Sequence, residues 1–332
     1  MYKRSPGKKN TNSMTKKDPV VSLHEFEQER KRLWKDAIKW PLYSIAVMPV
    51  VLAGAWRIGS NQKVDLKQFL GFLLASVLLL IWENLTNDLF DSETGVDEIS
   101  KPHSVVALIG KKDPIQNLAN ACLIVGLLIV YLLALNSSYK VFYLVMGSCC
   151  LGYLYQGPPF RLGYQGLGEP LCWIAFGPLA TAAGILVLSN NNLSIINIPW
   201  KEALIVGSGP ALATTLVLFC SHFHQVAEDA ANGKNSPLVR LGTRRASAMI
   251  PWFILIIFAL ECFPIIHGDL PISGCLGLIA LPSAISLIRL IKTHHNKPSL
   301  INKSKFLALR FQALNGFGFS LGLALGNSFG LN

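Results

Sequence analysis

Nine apolar runs recur along this 332-residue chain, and no other feature limits its fold so strongly. They fall at about residues 40–57, 67–86, 115–135, 141–156, 170–189, 203–222, 248–266, 272–291 and 306–328. A bilayer core asks for about 20 consecutive apolar residues in a spanning helix. Inside lipid, only helices and closed barrels satisfy every backbone polar group, and runs of this length read as helices. The expected fold is therefore all-α and integral to a membrane, with nine transmembrane helices in one bundle. Charged residues make up 15% of the chain, against about 25% in soluble proteins, which agrees. The last run carries Gly318, Gly322 and Gly326, a spacing of small residues that lets helices approach closely.

Residues 1–20 form a basic, polar tail without the apolar core of a secretory signal, and disorder is expected there. Residues 21–39 read as an amphipathic, charged surface helix leading to the membrane, and 40–332 as one polytopic unit. The lack of a transit-like leader favours a bacterial source, with plasma or thylakoid membrane left open. The net charge of +11 lies in the tail and loops rather than on one face, so a nucleic-acid partner is excluded and a biased topology explains it better. Counted loop by loop, Lys and Arg put the N-terminus, and with it the stretch 84–97, on the cytoplasmic side. The seven cysteines are odd in number, lie in apolar runs and form no Cys-x-x-Cys pair, so neither disulfides nor a zinc site is expected.

The second run ends in an unusual way, in Asn84 to Asp97 (NLTNDLFDSETGVD). Asn84, Asp88 and Asp91 share a helical face, since positions three and four apart are neighbours, and Asn87 and Asp97 stand close by. Acids at a membrane helix are costly and mark functional sites. Hard oxygen ligands at this density suit Mg²⁺, which completes its shell with water and substrate phosphates. A second polar cluster follows the sixth run, four helices later: His222, Gln225 and Asp229 fall at i, i+3 and i+7, beside Glu228. The spacing of the two clusters hints at a duplicated four-helix unit with a site between its halves. Lys101, Arg161, Lys234 and Arg240 would surround that site. Two oxygen-rich helix ends with cations around them fit a diphosphate bridged by Mg²⁺. The apolar bundle beside it fits a lipid-like chain. The reaction class that follows is loss of diphosphate from an allylic prenyl donor and capture of the prenyl fragment by a nucleophile. The turn-rich loop 155–169 brings Arg161 and Tyr164 within reach of a head group. Glu261, an isolated acid in the seventh run, leaves a secondary transporter as the rival reading.

Asn87-Asp88-Leu-Phe-Asp91 with Gly95 and Asp97 resembles the first aspartate-rich motif of UbiA-type membrane prenyltransferases, in the form found in the MenA branch. KPHSVV at 101–106, YQGPPFRLGYQGLGEP at 155–170 and GKNSPLVRLGT at 233–243 resemble the phylloquinone-pathway members of that branch. One departure stands out: the first position of the second motif, usually Asp, is Gln225 here. The resemblance implies nine helices, and Mg²⁺ held by Asn84, Asp88, Asp91 and Asp229, with Gln225 as a further oxygen donor. It implies diphosphate neutralisation by Lys101, Arg161 and Lys234, helped by Asn87 and Arg240. It places the aromatic acceptor near Lys39, with Tyr164 beside it. The implied reaction joins phytyl diphosphate to 1,4-dihydroxy-2-naphthoate with loss of CO₂. A longer polyprenyl donor for menaquinone, or homogentisate as acceptor, would use the same machinery.

Overall fold

The computed structural model describes residues 23–38, 40–95, 104–189 and 197–326, so Lys39, Asp97 and Lys101 lie outside the described residues. The described residues form helices joined by loops and contain no strand. In order the helices are α1 (Leu23–Ile38), α2 (Ser44–Gly59), α3 (Leu66–Thr94), the short α4 (Val105–Ile109), α5 (Lys112–Leu135), α6 (Tyr139–Gln156) and α7 (Gly168–Val187). There follow α8 (Trp200–Ser221), the short α9 (Val226–Ala231) and α10 (Pro237–Leu241), α11 (Thr243–Ile266), α12 (Leu281–His294), the single turn α13 (Pro298–Ile301) and α14 (Ser304–Leu325). Each of the nine apolar runs is helical over nearly all of its described residues, and seven of the segments are long and apolar enough to cross a membrane. The other two are α6, which carries Lys140 and Gln156, and α14, which buries Gln312, Asn315 and Ser320.

The side chains divide as a lipid-embedded bundle requires. Large apolar residues stand exposed along α5 (Leu118, Ile124, Leu128, Leu132) and α11 (Trp252, Leu255, Ile256, Phe263), where lipid rather than water is their natural neighbour. Two large cores lie inside, with a smaller third that joins α2 to α8 and α14 around Met48, Val206 and Phe319. One gathers α3, α5, α6 and α7 around Phe72, Leu89, Ile115, Val141 and Leu186. The other gathers α8, α11, α12 and α14 around Phe219, Ile250, Ile257, Leu287 and Phe311. The two large cores set most early helices apart from the late ones, while α2 contributes to all three cores.

Local chemistry sets the elements that matter. Asp65 caps α3 by accepting from the amides of Lys67 and Gln68 at 2.7 and 3.2 Å, a device worth about 1 kcal/mol. α3 ends at Gly95, whose φ of 76° lies in the left-handed region that glycine enters without strain. The helix thus runs 29 residues, beyond the expected span of 67–86, and carries Asn84, Asp88 and Asp91 together. In α7, Pro178 cannot donate a backbone hydrogen bond, and the turns over Ala175–Leu179 widen to π geometry. The glycine spacing of α14 packs on the 3₁₀ segment Ile272–Ala280: a Cβ at Gly322 would stand 2.0 Å from the Ser273 carbonyl oxygen.

Candidate functional site

Between the two cores lies a cavity of about 890 Å³. Its wall is largely apolar, with Ile45, Val50, Phe72, Leu80, Val145, Leu171 and Val217 among its contributors. At one end it turns polar: Asn84, Asn87 and Asp88 from α3, Gln156 from α6, and His222, His224, Gln225 and Lys234 from the segment after α8. α1 contributes more than a surface helix would, since Glu29, Arg32 and Leu33 stand on the same wall. Lys303 and Lys305, at the start of α14, add two further cations to it.

The acids of α3 are held in defined orientations. Asp88 is buried, and its Oδ2 accepts from the Val105 amide at 3.0 Å, at the start of α4. Asp91 is 1% exposed, and its Oδ1 accepts from the Tyr164 hydroxyl at 3.1 Å. The Asn84 amide nitrogen donates to the Leu80 carbonyl at 3.0 Å, which leaves its oxygen to face other partners. Asn87 is tied to α6 by a hydrogen bond from Gln156 Nε2 to its Oδ1, which leaves its own NH₂ as the donor.

The second cluster is built differently. α8 stops at Ser221, a 3₁₀ turn covers His222–His224, and the short α9 begins at Val226. Despite that break, Asp229 and His222 meet, with Nδ1 3.3 Å from Oδ2. His222 Nε2 stands 3.8 Å from Glu169, a buried acid at the start of α7 that sequence reasoning did not single out. The Asp229 side chain is wholly buried, with Lys234 Nζ 3.8 Å from its Oδ1, an oxygen without a hydrogen-bond partner. His222 therefore serves the acid cluster, and among the described residues no group of three or more His, Cys, Asp or Glu is arranged as a closed metal site.

The loop between α6 and α7 joins the two clusters. The Tyr164 hydroxyl also pairs with Thr94 Oγ1 at 2.6 Å, and its ring lies between Arg161 and Lys234, 5.8 and 5.4 Å from the centroid. Burial, and next the charge of Asp91, raise the Tyr164 hydroxyl above the ordinary tyrosine range, so it stays a neutral donor. The Tyr164 carbonyl accepts from the Asn235 amide at 2.8 Å, and Arg240 donates to the Gln165 carbonyl. Asn232 Nδ2 donates to the Gly95 carbonyl at 3.3 Å, tying the end of α3 to α9. Tyr155, on the cavity wall, lies within electrostatic reach of Glu169, Asp91 and Asp229 at once.

Of the residues picked out from sequence, Asn84, Asn87, Asp88, Gln225 and Lys234 stand together on the cavity wall, with Asp91 and Asp229 buried beside them. Arg161 pairs instead with Glu93 at 3.3 Å, and exposed Arg240 holds the loop. Tyr164 props Asp91 rather than lining the cavity. Glu261 accepts from Asn315 at 2.9 Å between α11 and α14, away from the cavity wall.

Oxygen donors from two helix segments and a buried acid oxygen without a hydrogen-bond partner fit a hard divalent ion. Such an ion would take part of its shell from water and phosphate. Residues 46–309 match the model of the UbiA prenyltransferase family. The 2-carboxy-1,4-naphthoquinone phytyltransferase of Synechocystis sp. is 37% identical over 287 residues, covering 86% of this chain and 91% of its own length. The chloroplastic 2-carboxy-1,4-naphthoquinone phytyltransferase of Arabidopsis thaliana is 36% identical over 314 residues, 93% of this chain and 81% of its own. The apo structure of a UbiA homolog from Aeropyrum pernix shares the fold, with a TM-score of 0.61 over 83% of this chain and 96% of that one at 16% identity.

Proposed function

This chain belongs to the UbiA prenyltransferase family, and on that premise we propose that it moves a phytyl group from phytyl diphosphate to 1,4-dihydroxy-2-naphthoate. Diphosphate and CO₂ are lost and a demethylated phylloquinol is formed. The acceptor is the two-electron-reduced form of the 2-carboxy-1,4-naphthoquinone that appears in the names of both relatives. The observation that carries this reading is a large apolar cavity with Asp88 and Lys234 on its wall and Asp91 and Asp229 buried beside them.

The roles follow from the surroundings of each residue. Asn84, Asp88, Asp91 and Asp229 would hold Mg²⁺, with the Gln225 carbonyl as a further oxygen. When bound, Mg²⁺ supplies charge neutralisation to a departing diphosphate. Lys234, on the cavity wall, neutralises diphosphate oxygens directly, and the Asn87 amide donates to them. Arg161, Arg240 and Tyr164 keep the connecting loop and Asp91 in place, and Arg161 adds positive charge at the rim. Lys101 completes the set from outside the described residues. The phytyl chain occupies the apolar part of the cavity, where scarce water protects the carbocation-like fragment. The ring carbon bearing the carboxylate attacks C1 of that fragment, and decarboxylation restores the aromatic ring. Electron-rich dihydroxy aromatics are nucleophilic at carbon, so no covalent enzyme intermediate is needed. The acceptor carboxylate meets the cations Arg32, Lys303 and Lys305 on the cavity wall; Lys39, outside the described residues, is a further cation expected from the sequence. The N-terminus and the polar end of the cavity face the cytoplasm, in a plasma or thylakoid membrane.

Prenyl transfer in isolated membranes tests this. Dihydroxynaphthoate is offered with phytyl, geranylgeranyl and longer polyprenyl diphosphates, with and without Mg²⁺. Phytylated product that requires Mg²⁺ is the expected result. Preference for a long polyprenyl chain moves the protein to menaquinone synthesis, and turnover of homogentisate alone overturns the acceptor assignment.

A further inference from the structure

Glu83 is an acid inside an apolar run that the roles above leave unused. It stands on the cavity wall one helical turn before Asn87, on the side of the apolar chamber. It faces α6 across Gly152, where a Cβ would come within 3.7 Å of the Glu83 Cδ. The thiols of Cys149 and Cys172 lie close enough to sense its charge. Among the described residues, no hydrogen bond or ion pair engages the Glu83 carboxylate, and its electrostatic surroundings include no cation. Asp88, Asp91 and Asp229, by contrast, each touch a donor or a cation.

A carboxylate within a membrane helix is costly unless a partner meets it, and acids left so are retained for a ligand. A hydrogen-bond donor would meet it, because an ionised carboxylate only accepts. Such a donor must also be small and flat enough to lie beside a prenyl chain in an apolar chamber. The diphosphate has no donor to offer and is repelled by a negative charge. The prenyl chain has no polar atom. An aromatic hydroxyl meets every condition.

We propose that Glu83 is a specificity-determining residue for the acceptor: its carboxylate accepts a hydrogen bond from a ring hydroxyl of a hydroxyaromatic substrate. The bond fixes the ring between the diphosphate end and the apolar chamber. This deepens the functional reading above and rests on it for the identity of the ring. A hydroxyl held by a carboxylate also gives more electron density to the ring, which favours attack by ring carbon.

The test measures acceptor binding by fluorescence titration of the detergent-solubilised full chain, separately from turnover. Wild type, Glu83→Gln and Glu83→Leu are compared on dihydroxynaphthoate, homogentisate, 1-hydroxy-2-naphthoate and 4-hydroxy-2-naphthoate. Gel-filtration profile and melting temperature certify each variant as folded, and Glu83→Gln, nearly the same in shape, serves if Glu83→Leu does not fold. Glu83→Leu is expected to weaken dihydroxynaphthoate about tenfold or more, as loss of a hydrogen bond to a charged group implies. Glu83→Gln should lose less, and KM for phytyl diphosphate should stay within about twofold. One monohydroxy acid should bind wild type and Glu83→Leu alike, because it lacks the hydroxyl in question. Unchanged acceptor affinity, equal weakening of both monohydroxy acids, or a parallel loss in donor KM overturns the proposal. Wild-type turnover decides the naphthoate assignment independently. If homogentisate alone binds, the same comparison is made on it, and a wild type that binds neither ring overturns both readings.

Discussion

The two acid clusters reach the same cavity by opposite routes. Asp88 and Asp91 ride on α3, 29 residues without interruption, so helical geometry alone fixes their spacing and shared face. Asp229 follows a helix that stops, tightens into a 3₁₀ turn and restarts for six residues. Its position depends on props: His222, Lys234 and the Asn232 bond to Gly95. A site made in this way has one half that is rigid by local structure and one half that tertiary contacts must hold. Changes in the first half should strike chemistry alone. Changes in the second should also move groups.

The largest expected effect tests the rigid half. Asp88→Ala or Asp91→Ala should lower prenyl transfer by at least about a thousandfold, as loss of a preorganised charge at a reacting diphosphate does. Neither change should alter the gel-filtration profile, since α3 keeps its cap and its packing. Turnover within about tenfold of wild type in either variant would refute the metal assignment of the first motif.

Next comes Lys234→Met, on the propped half. Its ammonium faces the cavity, Asp229 and the Tyr164 ring at once. Turnover should fall about a hundredfold, with the loss shared between donor KM and kcat, because substrate charge and the position of Asp229 both change. A loss confined to kcat, with donor KM untouched, would mean that Lys234 only positions Asp229.

The same contrast explains what could be read from sequence. Spans, lipid exposure and the face shared by Asn84, Asp88 and Asp91 follow from periodicities that depend on near neighbours along the chain. The reading of His222, Gln225 and Asp229 as one regular helix did not anticipate the 3₁₀ turn. The pair His222–Asp229 still met, because the break preserves the face. Tyr164 was read as a head-group ligand, yet its hydroxyl is spent on Asp91 and Thr94, and only the folded loop brings these together. Arg161 and Arg240 looked equivalent to Lys234 by charge, but partners distant in sequence, Glu93 and Gln165, claim them. Glu169 lies within the 155–170 motif without being singled out, and Glu83 gave no motif signal. An acid that begins a helix and an acid inside an apolar run become informative only when their neighbours are known. The charged helix α1 read as a surface element, while packing turns Arg32 and Leu33 onto the cavity wall.

Gln225→Asp probes the departure in the second motif and should act on metal use more than on rate. Gln225 is buried on the cavity wall, where an added carboxylate would raise the negative charge around any bound cation. The Mg²⁺ concentration for half-maximal activity should fall about three- to tenfold, with kcat changed less. A Mg²⁺ titration identical to wild type would remove Gln225 from the ligand set and leave Asp229 as the acid of that half.

Tyr164→Phe should have the smallest effect, and it probes the join between the halves. The phenylalanine keeps the ring between Arg161 and Lys234 and removes the hydroxyl that Asp91 and Thr94 share. One neutral donor to a carboxylate is lost, which corresponds to about a three- to tenfold drop in turnover. Its pH dependence gives the sharper criterion. Burial and the charge of Asp91 raise the hydroxyl above the ordinary tyrosine value, so it remains protonated up to and beyond about pH 10. Wild type and Tyr164→Phe should therefore keep a constant activity ratio from about pH 7 to pH 10. A ratio that collapses toward one as pH rises would show the hydroxyl ionising in the working range. Asp91 would then be propped by a group whose donor is lost in alkali, and the join between the two halves would depend on pH.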